Sequence, residues 1–236
     1  TVRGARLLSE ADVIVYAGSL VNPALLDYKK DGCEVYNSAK MTLEEVIAVM
    51  APAAKAGKTV VRLHTGDPCV YGAHREQMDE LDRLGLAYEV CPGVSSFCGA
   101  AAALKAEYTL PNVSQSVILT RMEGRTPVPE KEQIEAFAAH GATMVIFLSA
   151  GQLPRLSERL IAGGYAPDTP AAIVYKATWP DEKVVRTTVG ELAAAGAREG
   201  ITKTALITVG GFLGDSYDRS KLYDPAFTTG FREASR

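Results

Sequence analysis

Short apolar runs and longer stretches with helical spacing of apolar positions alternate along the first hundred residues. "DVIVYA" (12–17) is a compact apolar run fit for a buried strand. "MTLEEVIAVMA" then opens with Thr42 and Glu45 at capping-box spacing and places Leu43, Val46, Ile47 and Met50 on one helical face. Gly57 closes that helix region, and "KTVVRL" (58–63) reads as the next strand. "AHREQMDELDRLG" is a polar-rich helix with Met78, Leu81 and Leu84 on one side and Gly85 as its stop. "AYEVCPGVSSFCGAAAALKA" (87–106) repeats the scheme as a strand, a Pro-Gly turn, two serines and a helix of small residues. This βαβα order predicts a mostly parallel sheet covered by helices on both faces.

The pattern breaks at "EYTLPNVSQ" (107–115), where Pro111 and polar residues suit a linker. Beyond it, "SVILTR" and "TMVIFLS" read as strands around a helix at about 130–140, and "LPRLSERLIAGG" is a helix closed by Gly-Gly. "AAIVYKATW", "KVVRTTV" and "TALITVG" are three more strands with one short helix (191–198) among them, which predicts a mixed sheet. The fold class is therefore α/β. An N-terminal domain (1–108) with a mostly parallel sheet and a C-terminal mixed α/β domain (116–236) are joined by a linker (109–115), with a cleft between them.

Composition narrows the function. The 236 residues are 47% apolar and 22% charged, with a net charge of −3, so there is no basic field to attract nucleic acid. The longest apolar runs, "VIVYAGSLV" and "TMVIFLSAG", are about half the roughly 20 residues needed to span a bilayer, and no secretory leader is evident. Four cysteines without a CxxC pair argue against a disulfide framework and for a reduced, cytoplasmic setting. The three histidines lie in no metal-binding pattern, and no metal is expected.

Three segments share one design, a strand followed at once by small residues. They are Thr65-Gly66-Asp67-Pro68, Pro92-Gly93-Val94-Ser95-Ser96 and Lys176-Ala177-Thr178. Small residues at strand ends let a ligand reach backbone N–H and C=O groups directly, and carboxyl ends of parallel strands are where open α/β sheets bind ligands. Asp67 can accept hydrogen bonds from a ribose or an amino group. Turn formation at Gly66-Asp67-Pro68 and helix capping by Ser95 remain open as plain structural readings. The dinucleotide and phosphate-loop glycine patterns are absent.

"RLHTGDPCVYG", "CPGVSSF", "VILTRMEGRTPVP" and "AAIVYKATWPDE", in that order and spacing, resemble the tetrapyrrole methylases of corrin and porphyrin synthesis. "VYAGSLV" (15–21) and "YTLPNVSQSVILTR" (108–121) are similar to one branch, the precorrin-4 or cobalt-precorrin-4 C-11 methyltransferases of cobalamin biosynthesis. The glycine-rich "GxGPGDP" segment of that family does not occur here, the sequence starting within the stretch that follows it. The resemblance implies S-adenosylmethionine as cofactor, held by Thr65, Gly66, Asp67, Val70, Ser95, Ser96, Leu148 and Ala177, with Ala205 and Leu206 as further contacts. Leu148 stands where methionine is common and Ala177 where glycine is common. Core packing is the alternative for Val70, Leu148 and Leu206. The resemblance also implies a homodimer.

Methyl transfer from a sulfonium to a carbon is an in-line displacement that asks chiefly for alignment within about 3–3.5 Å away from water. The absence of any triad or carboxylate dyad agrees with such a step. No general base is assigned, Asp67 and Tyr71 being the nearest candidates. A precorrin carries many carboxylates, so its site needs local cations. Arg121 and Arg125 in "TRMEGR" are the first choices, since guanidinium pairs bidentately with carboxylate. Lys176 is the second, while Lys29, Lys30 and Arg75 read as surface charges. Tyr16 and Ser19 are candidates to line the tetrapyrrole face. Other readings are a methylase of the same family acting at another carbon and a non-catalytic tetrapyrrole carrier.

Overall fold

The computed structural model describes residues 1–235. They form two compact units, Thr1–Cys98 and a second beginning at Gly99.

The first unit begins with α1 (Val2–Glu10), whose N-terminus is capped by the Thr1 hydroxyl accepting the Gly4 N–H at 3.1 Å. β1 (Val13–Tyr16), β2 (Glu34–Asn37) and β3 (Val60–Leu63) form a three-stranded sheet in the order β2-β1-β3, parallel throughout. Alternation along β1 decides which neighbour each side chain meets. Val13 and Val15 pack on one face against Val46, Ile47 and Met50 of α2 (Leu43–Lys55), whereas Ile14 packs on the other against Leu8 and Ala11. The capping box read from the sequence is formed. Thr42 Oγ1 accepts the Glu45 N–H at 3.3 Å, and the Glu45 carboxylate accepts the Thr42 N–H at 2.8 Å. The polar helix α3 (Arg75–Arg83) follows, and Gly85 ends it at φ +64°.

The strand expected at the start of "AYEVCPG" is not one. Residues 86–95 run without a ladder partner, and Tyr88 and Val90 stand exposed. Two elements absent from the sequence reading are α1 and β2.

The division into units falls between Cys98 and Gly99, within α4 (Ser96–Leu104), and not at 109–115. That segment packs into the second unit. The Tyr108 ring sits edge-on to Phe212 at 5.0 Å, the Tyr108 carbonyl accepts the Thr143 hydroxyl at 2.9 Å, and Ser114 Oγ accepts the Thr143 N–H at 3.0 Å.

The second unit is built on β4 (Val117–Arg121), β5 (Thr143–Phe147), β6 (Pro170–Tyr175), β7 (Lys183–Thr188) and β8 (Ala205–Val209). Their order is β4-β5-β8-β6-β7, with β4 and β5 parallel and the other pairs antiparallel. The mixed sheet expected for this half is thus observed. α5 (Ile134–Ala138), α6 (Leu153–Ala162) and α7 (Leu192–Arg198) bury Ile134, Leu156, Leu160 and Leu192 against Met144, Ile146, Ile173 and Ile207 of the sheet. At roughly 25 cal/mol per Å2 of apolar area, each such side chain contributes about 1.5–3 kcal/mol. Among the described residues, no helix is long and apolar enough to cross a membrane.

Candidate active site

In the first unit the three parallel strands end together, so the segments that leave β1, β2 and β3 share one side of the sheet. Tyr16 and Ser19 lie there, as does the loop after β3. Thr65 donates its hydroxyl to the Leu20 carbonyl at 3.2 Å, tying that loop to the segment after β1. Gly66 adopts φ +60°, where a side chain is disfavoured. Asp67 then staples two loops. One carboxylate oxygen accepts the Cys69 N–H at 2.8 Å, and the other accepts the Gly93 N–H at 2.7 Å. Hydrogen bonds from the Cys69 thiol, then from the Cys69 and Gly93 backbone, hold the Asp67 carboxyl below its usual range.

The stapled loops touch backbone to backbone. A Cβ on Gly93 would lie 1.9 Å from the Gly66 carbonyl oxygen, and a Cβ on Gly66 would lie 3.2 Å from Ser95 Cα and 3.3 Å from the Ser96 nitrogen. Thr65, Gly66, Asp67, Ser95 and Ser96 are therefore brought together. The Ser95 carbonyl accepts the Cys98 N–H at 3.0 Å as α4 begins. Tyr71 and Ala73, farther along the loop, adopt φ values of +56° and +47°.

The second unit repeats the theme at one end of its sheet. Register pairs Ile146 with Ile207, Tyr175 with Ala205 and Arg121 with Phe147, so Leu148, Ala177, Ala205, Leu206 and the Arg121–Arg125 segment occupy the same end of neighbouring strands. Leu148 is 60% exposed at φ +53°, so it is not a core residue, whereas Leu206 is buried and offers only its backbone. Lys176 and Thr178 also have positive φ, as does Thr204, whose carbonyl accepts the Lys176 N–H at 2.9 Å. Gly99 of α4 lies 3.4 Å, measured from a Cβ built on it, from Ala177 and Thr178. Of eight non-glycine residues in the left-handed region among those described, six fall in these loops. Such backbone conformations cost about 1–3 kcal/mol each and cluster where function holds them.

The cations are not equivalent. Arg121 donates to the carbonyls of Met122, Thr126 and Pro127 at 3.1, 3.3 and 2.8 Å, which organises its own loop. Lys176 pairs with Asp181 at 2.6 Å and lies over the Tyr175 and Trp179 rings. Arg125 is exposed and makes no hydrogen bond or ion pair among the described residues.

The tetrapyrrole (corrin/porphyrin) methylase model matches residues 1–193. The chain belongs to this family. A cobalt-precorrin-4 C(11)-methyltransferase of Methanocaldococcus jannaschii is 53% identical over 237 residues, covering 100% of this chain and 92% of the relative. The X-ray structure of a cobalt precorrin-4 methyltransferase is 49% identical with a TM-score of 0.89, covering 91% of this chain and 90% of that one. A uroporphyrin-III C-methyl transferase of Thermus thermophilus, solved in complex with S-adenyl homocysteine, is 28% identical with a TM-score of 0.74, covering 90% of this chain and 91% of that one.

Sequence reasoning missed a half-buried charge beside a cavity of the first unit. A cavity of about 140 Å3 is lined by Ser38, Thr42, Arg62, Gly72, Ala73 and Glu76, among others. Arg62 donates to the Gln77 side chain at 2.9 Å and to the Val15 and Leu63 carbonyls at 3.0 and 3.4 Å, and it forms no ion pair among the described residues. Gln77 in turn donates to the Ala73 carbonyl at 3.1 Å, linking β3 to the left-handed loop. The available signal was a charged residue inside the apolar run "TVVRL".

His64, next along the chain, is pushed down to about 4 by burial first and then by the Arg62 and His74 charges. Unfolded His64 takes a proton below about 6.5, which the folded protein refuses until about 4. Stability therefore falls as pH drops through that window, by on the order of 3 kcal/mol. His64→Gln is expected to flatten this part of the profile. Melting temperatures of both proteins between pH 7 and 4.5 check it, and an unchanged slope would contradict the assignment.

Proposed function

We propose that the protein is an S-adenosylmethionine-dependent methyltransferase acting at C-11 of precorrin-4 or cobalt-precorrin-4. The observation that carries this reading is the glycine-only contact between loops 65–68 and 92–96. It leaves bare backbone and small residues where the family resemblance places the cofactor, and the residues present fit such a group. Thr65, Gly66, Asp67, Val70, Ser95 and Ser96 of the first unit would hold it, with Leu148, Ala177, Ala205 and Leu206 of the second entering on the resemblance. When bound, S-adenosylmethionine supplies the methyl group.

The chain's own residues bind and orient. Asp67 keeps the two loops in register through its backbone hydrogen bonds, and this role makes it a scaffold and not a general base. Arg62, which lines the cavity without an ion pair, and Arg125, exposed and without a hydrogen bond or ion pair among the described residues, suit the acetate and propionate groups of a precorrin. Arg121, a first choice on sequence grounds with Arg125, and Lys176, the second, serve here by shaping the loops that carry them. Tyr16 and Ser19 lie on the strand-end side that would face the tetrapyrrole. The resemblance also supports a cytoplasmic homodimer.

Incubation with methyl-labelled S-adenosylmethionine and precorrin-4, metal-free or cobalt-loaded, tests the reading. The expected result is one labelled methyl at C-11 by NMR and mass analysis of the product. Label at another carbon would reassign the acceptor position, and binding without transfer would favour a carrier.

A further inference from the structure

The loop that follows β4 is pinned at almost every residue but one. The Met122 N–H donates to the buried Ser149 hydroxyl at 3.0 Å, and Ser149 itself donates to the Phe147 carbonyl at 2.7 Å. The Glu123 carbonyl accepts the Gln152 side-chain amide at 3.2 Å. The Glu123 carboxylate pairs with both Arg155 and Arg159 of α6. Arg159 extends the network to Glu135 at 2.5 Å and to Gln133 at 2.7 Å. Arg121 gathers the Thr126 and Pro127 carbonyls from the other side, and the Gly124 N–H donates to the Thr126 carbonyl at 3.2 Å. Arg125 alone projects without a partner.

A structural ion pair on a surface needs none of this. Exposed pairs are worth about 0–1 kcal/mol, and the second oxygens of Glu123 and Glu135 are buried without a hydrogen-bond partner, which is unfavourable. An arrangement that tolerates two orphaned carboxylate oxygens to fix six residues of loop is explained by what the loop presents. The part it presents is a guanidinium with its donors unused.

We propose that Glu123, clamped by Arg155 and Arg159, is a positioning residue that fixes the loop so that Arg125 is preorganised for a carboxylate of the methyl acceptor. The inference rests on the reading of Arg125 as an acceptor-binding cation. A rigid loop loses less conformational freedom when the acceptor binds, so the network acts on acceptor affinity and not on the methyl-transfer step.

The test compares KM for the acceptor, kcat, and S-adenosylhomocysteine affinity by calorimetry in Arg125→Ala, Glu123→Gln, Arg155→Ala and the Glu123→Gln/Arg125→Ala pair. Arg125→Ala is expected to raise the acceptor KM about tenfold or more. Glu123→Gln and Arg155→Ala are expected to raise it several-fold, with kcat and cofactor affinity unchanged. The double variant is expected to be no worse than Arg125→Ala, because the network acts through that side chain. Should Glu123→Gln fail to fold, Arg155→Ala, altering a half-exposed residue, carries the same comparison. An unchanged KM in Arg125→Ala would overturn the acceptor reading of Arg125 itself. A raised KM there, with none in Glu123→Gln or Arg155→Ala, would overturn only the positioning role. Effects that multiply in the double variant, or kcat and cofactor affinity falling together, would likewise overturn it.

Discussion

Gly93→Ala is expected to abolish binding of S-adenosylhomocysteine, by more than about a hundredfold in affinity. The new methyl would lie 1.9 Å from the Gly66 carbonyl oxygen and 3.3 Å from Asp67 Cα. Both obstacles are backbone, which has no rotamer to escape into. The loops must separate, and the 2.7 Å bond from the Gly93 N–H to Asp67 goes with them. Gly66→Ala is a milder lesion, since its nearest contact is 3.2 Å and its φ of +60° costs roughly 1–2 kcal/mol. Calorimetric titration of both variants, with circular dichroism to verify that the sheets persist, distinguishes the two. A folded Gly93→Ala protein that keeps its affinity would remove the basis for placing the cofactor on these loops.

Arg62→Met is expected to lower stability by no more than about 1–3 kcal/mol, the cost of leaving the buried Gln77 amide oxygen without its donor, while raising the acceptor KM roughly 10- to 150-fold. Burial pulls the Arg62 guanidinium below its usual range, so the folded protein maintains the charge against desolvation. Methionine keeps the length and apolar stem of arginine and removes that penalty. The Leu63 carbonyl retains the Ala17 N–H at 3.1 Å when the guanidinium leaves. A charge-assisted hydrogen bond to an acceptor carboxylate contributes about 1.5–3 kcal/mol, which sets the KM range. Chemical denaturation and steady-state kinetics on the same preparation check both halves. A large loss of stability with an unaltered KM would make Arg62 a core residue and nothing more.

Much of the fold was legible because short-range rules dominate where they apply. Thr42 and Glu45 are three residues apart, so their reciprocal bonds follow from spacing alone, and the buried strands of the second unit announce themselves as "TMVIF" and "ALITV". α1 was not legible, since Leu8 is its one buried residue, and β2 was not, because "EVYN" is exposed at three of four positions. The opposite error at Tyr88–Val90 has the same root. β-branched and aromatic composition gives a tendency to extend, but a strand exists only where a neighbour takes its hydrogen bonds. Pro111 and the polar residues of 109–115 signal a turn without saying what the turn packs on, here Tyr108 against Phe212.

The candidate site was legible as loops and not as roles. Gly66 and Asp67 stand out by type and position after β3, and Gly93, Ser95 and Ser96 by type before a helix, and the structure joins them. What each charge does depends on partners far away in sequence. Glu123 and Arg159 are 36 residues apart, and Arg121 spends its donors on carbonyls that carry no sequence signature.

Because one aspartate ties turns that are 26 residues apart, neither turn is an independent module. Transplanting 65–72 from a homologue without 92–96 would pair a foreign carboxylate with a native amide it was never shaped to meet. Redesign of this protein's ligand preference has to exchange the two pieces as a matched set.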